Sequence, residues 1–210
     1  MAITIFGIIV LIFSAVIHEV SHGFIADKLG DPTARLSGRL TLNPLKHLDP
    51  FGSVILPILL SLIPGGIIFG WAKPVPYNPY NLKDPEKGAA KIALAGPLSN
   101  LVLALVFSIV FRITAAETGG IFYNLNELSG IIVLINIVLG VFNMVPIPPL
   151  DGAKVITAVI PDRAYKVKRF LSENNPYGWI ILIAFIFFGL SVIDPVISFL
   201  FKIFTGVPIY

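Results

Sequence analysis

The stretch AVIHEVSHGF, residues 15–24, lies inside an apolar run that starts at the first residue of the chain. From Met1 to Ala26 the only formally charged side chain is that of Glu19. About 20 consecutive apolar residues are enough for a helix to cross a bilayer, so this run predicts a membrane-spanning helix. A carboxylate inside such a helix is costly without a partner. Glu19 and the two histidines beside it are therefore a candidate functional site.

The composition of the whole chain indicates a polytopic membrane protein. Of its 210 residues, 56% are hydrophobic and 13% are charged, which is more apolar surface than a soluble domain can bury. The sequence contains no cysteine, so disulfides and thiolate metal sites are excluded. The net charge of +3 is small, and the basic residues of the chain are dispersed between its apolar runs. Nucleic acid is therefore not expected as a partner.

Four apolar stretches are long enough to span a bilayer, namely 2–26, 92–111, 130–150 and 178–203. A fifth apolar stretch, 51–71, is interrupted by Pro57 and by the PGG of 64–66. Proline and paired glycines break a helix, so a continuous span is not expected there. We predict instead a re-entrant segment that enters the membrane and returns to the same face.

The sequence therefore predicts a single all-α polytopic domain over 1–210, with a catalytic core over about 1–160 and a C-terminal helical segment over 178–204. A short membrane-associated β element is also expected. Residues 34–44 alternate apolar and polar side chains, and 67–77 is extended because residues before proline avoid the helical region. Interfacial loops explain the same two patterns equally well on periodicity alone.

The pentapeptide HEVSH at 18–22 indicates a metal site. Residues i and i+4 share one face of a helix, so His18 and His22 can hold one ion. Glu19 then lies beside that ion, where it can take a proton from a bound water. Structural histidines, or histidines that ligate a haem, are the alternatives. Neither explains why a carboxylate is left in hydrocarbon.

A catalytic zinc needs a third protein ligand and one position open for water. His47 is one candidate, although an ordinary interfacial side chain fits its polar surroundings. Asp151 is the stronger candidate, because three prolines within 146–149 unwind the apolar run just before it. Non-helical backbone at membrane depth is tolerated only beside protein or a water-filled cavity. A helix end followed by a loop is the alternative explanation.

Asn143 lies in the same apolar run, shortly before the prolines. Its amide could donate a hydrogen bond to an oxyanion that develops on a substrate carbonyl. It could equally form a packing hydrogen bond between helices. Both roles stay open at this stage.

Together these motifs resemble the site-2 protease family of intramembrane zinc metalloproteases, in its minimal form without a PDZ or CBS domain. The matching stretches are HEVSH at 18–22, FGWAKPVP at 69–76, AGPLSN at 95–100 and NMVPIPPLDG at 143–152. The resemblance implies one zinc ion per chain with three protein ligands, His18, His22 and Asp151. It also implies Glu19 as general base, Asn143 near the substrate carbonyl, and a membrane-embedded strand that pairs with the substrate.

The activity implied is hydrolysis of peptide bonds in or near the transmembrane segments of membrane proteins. Substrate contacts are expected at four residues of the matching motifs, Phe69, Gly70, Trp71 and Asn100. The partners are then a transmembrane protein or peptide and the lipid bilayer, and a homo-oligomer is left open. The rival interpretation is a transporter or channel that relays protons or ions through buried His, Glu and Asp. Transporters commonly contain two related halves, and none is evident.

The basic residues predict the orientation in the membrane. If 51–71 returns to the face that it leaves, thirteen of the 15 lysines and arginines lie on one face. The positive-inside rule makes that face cytoplasmic. We therefore predict a multi-pass cell-membrane protein with its N-terminus outside and its zinc site nearer the cytoplasmic face.

Overall fold

The structure is a computed structural model, and it describes residues 2–55, 59, 71–116, 119–172 and 175–209. Within these residues the α-helices are α1 (Ala2–Lys28), α2 (Thr33–Leu36), α3 (Pro85–Thr114), α4 (Gly120–Asn143), α5 (Asp151–Val159), α6 (Tyr165–Leu171), α7 (Gly178–Phe188) and α8 (Leu190–Thr205). Single turns of 3₁₀-helix lie at Pro44–Lys46, Pro79–Asn81 and Asp162–Ala164, and a π-helical turn lies at Pro50–Ile55.

The predicted helical spans are confirmed for three of the four stretches. Helices α1, α3 and α4 are each long and apolar enough to cross a membrane. Helix α4 ends at Asn143 and not at 150, because the prolines that follow have no backbone N–H to continue it. The fourth predicted span, 178–203, is a pair of helices, α7 and α8, bent by 66° at their junction. It makes a fourth span if the pair crosses as one unit.

Helix α1 has its apolar side chains outward and its polar side chains inward. Ile3, Ile5 and Ile8 are each about half exposed, whereas Ser14 and His18 are buried. A water-soluble helix shows the reverse arrangement. The arrangement in α1 is typical of a helix whose outer face contacts lipid.

Helix α3 is the central helix of the molecule and packs between α1 and α4. On one side it packs with α4 and α8 around Ala104, Val133 and Ile137, none of which is exposed at all. On the other side it packs along α1. Asp84 starts α3 by accepting a hydrogen bond from the backbone N–H of Lys87 at 3.0 Å, which satisfies one of the free donors of the first turn.

The predicted β element is wrong for the residues that the structure describes. Within 34–44, the chain starts as helix α2 because Asp31 accepts hydrogen bonds from both the amide and the hydroxyl of Thr33. It ends in the 3₁₀ turn Pro44–Lys46, whose start is capped by the side chain of Asn43. These local hydrogen bonds compete with strand pairing.

Residues 71–78, which we call the 71–78 segment, are extended but are not paired as a strand. Their backbone donors bond to other groups: Lys73 N–H to the carbonyl of His47 at 2.8 Å, and Val75 N–H to Glu19 Oε2 at 2.8 Å. The segment is thus fixed by carboxylate and loop acceptors. Residues 67–70 of the predicted strand lie outside the described residues.

The predicted re-entrant segment, 51–71, lies mostly outside the described residues, which do include its two ends. The N–H of Trp71 donates to the carbonyl of Gly52 at 3.2 Å. The hydroxyl of Ser53 donates to the carbonyl of Trp71 at 2.7 Å. The chain therefore has residues 52, 53 and 71 in direct contact.

Candidate active site

The two histidines of HEVSH lie one turn apart on the inward face of α1. Their ring centroids are 4.7 Å apart and the rings are nearly perpendicular. Each ring is held at Nδ1 by helix α3. His22 Nδ1 lies 2.6 Å from the carbonyl oxygen of Ile92, and His18 Nδ1 lies 2.7 Å from Asn100 Oδ1. Because these oxygens accept hydrogen bonds, each Nδ1 carries the hydrogen and each Nε2 keeps a lone pair.

Asp151 completes this group from the other side. Its Oδ2 lies 3.1 Å from Nε2 of His18 and 3.1 Å from Nε2 of His22. With both hydrogens at Nδ1, three lone-pair-bearing atoms face one another. A proton can bridge only two of them, whereas a cation can satisfy all three.

The spacing of these atoms fits a zinc ion. Zinc binds nitrogen and oxygen ligands at about 2.0–2.1 Å in tetrahedral sites, which places neighbouring ligand atoms about 3.3 Å apart. The two 3.1 Å distances to Asp151 Oδ2 are close to that value. The donor set of two imidazoles and one carboxylate is also of the kind that catalytic zinc uses.

Asp151 reaches this position because helix α4 stops before it. Residues 144–150 form turns between α4 and α5, as the prolines predicted, and Asp151 is the first residue of α5. Its carboxylate therefore lies at the positive end of a helix dipole, which favours the anion. The side chain is 9% exposed, so it meets the histidines in a largely enclosed space.

Glu19 lies beside the two histidines. A carboxylate oxygen of Glu19 and one ring nitrogen each of His18 and His22 lie within 4.8 Å of one another. Glu19 Oε2 accepts a hydrogen bond from the backbone N–H of Val75 at 2.8 Å. The 71–78 segment therefore fixes the orientation of the carboxylate.

A cavity of about 140 Å³ opens over these side chains, which is enough for several water molecules. Asn143 lines the cavity together with His18, Glu19 and Asp151. The Asn143 amide donates one hydrogen bond to the carbonyl of Leu139 at 2.9 Å. Since a side-chain amide carries two N–H bonds, Asn143 keeps a second donor for a group in the cavity.

Lys154 also lines the cavity, and the sequence analysis missed it. Its Nζ lies 3.9 Å from Asp151 Oδ1 and 5.8 Å from the ring centroid of Tyr77. The ammonium is thus on the side of Asp151 that faces away from the histidines. The signal was its position three residues after Asp151, which places both side chains on one face of α5.

Gly96 is a second residue that the sequence analysis did not single out, although it lies in AGPLSN. A Cβ at this position would lie 2.5 Å from Nε2 of both His18 and His22. Only glycine lets α3 approach the two rings so closely. Sequence alone gave no measure of that distance.

The remaining predicted residues are placed as follows. Asn100 is fully buried, and its described hydrogen bonds go to His18, Ser14 and Asn136, so its contact with substrate stays a prediction. The ring centroids of Trp71 and Trp179 are 5.3 Å apart. Phe69 and Gly70 lie outside the described residues. His47 is buried elsewhere, and its Nε2 lies 2.9 Å from the carbonyl of Thr41.

The sequence also matches a known protein family over most of its length. A model of peptidase family M50 matches residues 6–128 and 113–189. The chain belongs to peptidase family M50. This membership confirms the predicted enzyme class, a zinc metalloprotease of the site-2 protease type that acts in a membrane, and it does not favour a transporter.

Relatives that are named as zinc metalloproteases agree with this assignment. YwhC of Bacillus subtilis, assigned as a zinc metalloprotease, is 38% identical over 185 residues, which cover 84% of this chain and 77% of YwhC. MJ0611 of Methanocaldococcus jannaschii, assigned likewise, is 37% identical over 152 residues, 72% of each chain. Rip2 of Mycolicibacterium smegmatis, also assigned as a zinc metalloprotease, is 29% identical over 177 residues, 82% of this chain and 62% of Rip2. No solved structure matches the M50 chain.

Proposed function

We propose that this M50 protease hydrolyses peptide bonds in or near the transmembrane segments of membrane proteins, at one zinc ion per chain. His18, His22 and Asp151 would hold that ion. The observation that carries the proposal is the convergence of three lone-pair-bearing atoms, with Asp151 Oδ2 3.1 Å from each histidine Nε2. A buried group of this kind is costly unless a cation neutralises it.

Zinc, when bound, supplies Lewis-acid polarisation of the scissile carbonyl and lowers the pKa of a water toward neutrality. Glu19 takes the proton of the attacking water and passes it to the leaving amine. Its orientation is held by the Val75 N–H at Oε2. Asn143 lines the cavity, and only one of its two amide hydrogens is donated, to the Leu139 carbonyl. We propose that the other hydrogen stabilises the oxyanion that develops on the substrate carbonyl.

The position of the cavity supports a membrane-protein substrate. Two of the three candidate ligands, His18 and His22, are on α1, a helix whose outer face is apolar and suited to lipid. A transmembrane helix satisfies its own backbone carbonyls, so it must lose some of those hydrogen bonds before a peptide bond can be attacked. The polar side chains that line the cavity offer replacement partners to the unwound residues.

The test separates zinc binding from proton transfer. Glu19→Gln removes the proposed base and keeps the three proposed zinc ligands. The purified variant should therefore retain about one zinc per chain. Its rate of cleavage should fall by about a hundredfold or more. Zinc is measured by mass spectrometry of the purified protein, and cleavage by the release of fragments from a tagged single-span protein reconstituted with it in vesicles.

The matched control is Glu127→Gln, which makes the same chemical change at an exposed position of α4. Glu127 precedes Asn143 by 16 residues, about 24 Å along the helix, so this variant should keep both zinc and activity. His22→Ala should lose most of the zinc. Wild-type protein free of zinc, or a Glu19→Gln variant that cleaves at the wild-type rate, would contradict the proposal.

A further inference from the structure

Asn136 is a buried polar residue that the proposed chemistry does not use. It lies in α4 between Val133 and Ile137 in the sequence, and none of the three is exposed at all. An amide in apolar surroundings costs free energy unless its hydrogen-bonding groups are satisfied. The partners of Asn136 therefore indicate what the residue does.

Asn136 is one end of a chain of hydrogen bonds that leads to His18. Its Nδ2 donates to the carbonyl of Ile132 at 2.9 Å. Its Oδ1 accepts from Asn100 Nδ2 at 2.9 Å. Asn100 Nδ2 also donates to the carbonyl of Ser14 at 3.3 Å, and Asn100 Oδ1 lies 2.7 Å from His18 Nδ1.

The two backbone carbonyls fix the direction of every bond in this chain, because a carbonyl only accepts. The carbonyl of Ile132 requires the NH₂ of Asn136 to face it, which leaves the oxygen of Asn136 to face Asn100. The carbonyl of Ser14 and that oxygen together require the NH₂ of Asn100. Turning either amide by 180° would set two oxygens against each other at hydrogen-bond distance.

The oxygen of Asn100 must then face His18, and this oxygen can only accept. His18 therefore carries its hydrogen at Nδ1 and has a lone pair at Nε2, the atom that lies 3.1 Å from Asp151 Oδ2. We infer that Asn136 is a positioning residue that sets, through Asn100, the tautomer in which His18 meets a metal ion. The inference rests on the proposed function only in taking His18 as a zinc ligand.

Groups that orient a metal-binding histidine typically change metal affinity by about 10- to 100-fold when they are removed. Asn136→Leu keeps the volume and removes the acceptor, so we expect the zinc dissociation constant to rise by about that factor. Asn136→Asp keeps a carbonyl oxygen for Asn100, and we expect it to restore most of the affinity. Zinc affinity is measured on the full chain by competition with a chelator.

A double substitution tests whether Asn136 acts through Asn100. If it does, Asn100→Leu with Asn136→Leu should weaken zinc binding no more than Asn100→Leu alone, since the second change has nothing left to transmit. The matched control is Asn126→Leu. This residue is also in α4 and also bonds to α3, at the carbonyl of Phe111, so its loss should lower thermal stability without changing zinc affinity.

The tautomer itself is read from the ¹⁵N shifts of His18 in full-length wild-type protein stripped of zinc. Hydrogen at Nδ1 is expected in wild type and in Asn136→Asp, and a mixture of tautomers in Asn136→Leu. Hydrogen at Nε2 in wild type, or additive losses of affinity in the double variant, would overturn the inference whatever the fate of Asn136→Leu. Failure of wild type to bind zinc would instead refute the proposed function and leave the tautomer result standing.

Discussion

At the scale of single residues, the site depends as much on an absent side chain as on those present. The rings of His18 and His22 are pinned at Nδ1 by Asn100 and by the carbonyl of Ile92, so they cannot swing away from α3. Gly96 lies against their Nε2 atoms, where a Cβ would approach to 2.5 Å. Any larger residue must displace either the rings or the helix.

We therefore expect Gly96→Ala to raise the zinc dissociation constant about tenfold or more and to reduce cleavage in parallel. The effect cannot come from the helix itself, because alanine favours a helix over glycine by about 1 kcal/mol. Gly7→Ala is the control. The Cβ added there meets only Ile135, at an ordinary 4.0 Å, so zinc binding should be unchanged. Equal zinc affinity in both variants would contradict this prediction, because it would mean that the two rings can move aside without weakening zinc binding.

The sequence placed His18, His22 and Asp151 in one candidate site because their clues are local. His18 and His22 are separated by one helical turn, and Asp151 is a carboxylate that follows prolines in an apolar run. Gly96 and Asn136 carry no such local clue. Their importance arises where α3 meets α1 and α4, between residues far apart in the sequence, and only the packed structure contains those distances.

At the scale of elements, the 71–78 segment is held in place by buried charge. Asp31 is fully buried after the end of α1, and it accepts hydrogen bonds from Asn78 N–H at 2.6 Å and from Asn81 Nδ2 at 2.7 Å. The guanidinium of Arg39 donates to the carbonyl of Lys73 at 2.6 Å. The sequence predicted extended backbone here. It could not predict that these side chains, and not a neighbouring strand, would satisfy that backbone.

Burial would raise the pKa of Asp31, but hydrogen bonds from Thr33, Asn81 and Asn78 hold it below its ordinary value of 3.8. A pKa lowered by folding stabilises the folded protein above the ordinary value, and that stability is lost as the pH falls through the folded-state pKa. Asp31→Asn should therefore lower the unfolding temperature at about pH 7, with a loss of about 1–3 kcal/mol in the free energy of unfolding. It should also flatten the decline in stability below about pH 4.

Asp27→Asn is the control for this change. Asp27 pairs with Arg35 at 3.0 Å on the surface, where such a pair contributes about 0–1 kcal/mol. Thermal unfolding in detergent, followed by circular dichroism across the pH range, compares the two variants. Because Asn78 follows Val75, which holds Glu19, we also expect Asp31→Asn and not Asp27→Asn to slow cleavage. Indistinguishable unfolding curves for the two variants would refute the role given to Asp31.

At the scale of the whole molecule, the two ends of the helix bundle differ in charge. One end joins the start of α3 to α6, through the ion pair of Lys168 with Glu86 at 2.8 Å. The other end joins the end of α3 to the end of α8, where Arg112 donates to the carbonyl of Phe204 at 2.6 Å. Only Arg112 and Lys202, of 15 lysines and arginines, belong to the second end by this division.

The division requires the connections before and after 51–71 to lie on one face. The contacts of residue 71 with residues 52 and 53, and of Lys73 with His47, support this placement. If 51–71 crossed instead, its two ends would be separated by a hydrocarbon core of about 30 Å. By the positive-inside rule, we propose that the basic end is cytoplasmic. His22 is six residues from the end of α1 at Lys28, about 9 Å along the helix, so the proposed zinc site would lie near that face.

Single cysteines test this orientation, since the chain has none of its own. We expect Lys46→Cys, Lys83→Cys and Lys166→Cys to resist an impermeant thiol reagent in intact cells, and to label once the cells are opened. Ala116→Cys, at an exposed position beyond the end of α3, should label in intact cells. Labelling at position 83 but not at 46 would mean that 51–71 crosses the membrane. His22 and Asp151 would then approach opposite faces, so that single result would contradict both the topology and the shared zinc site.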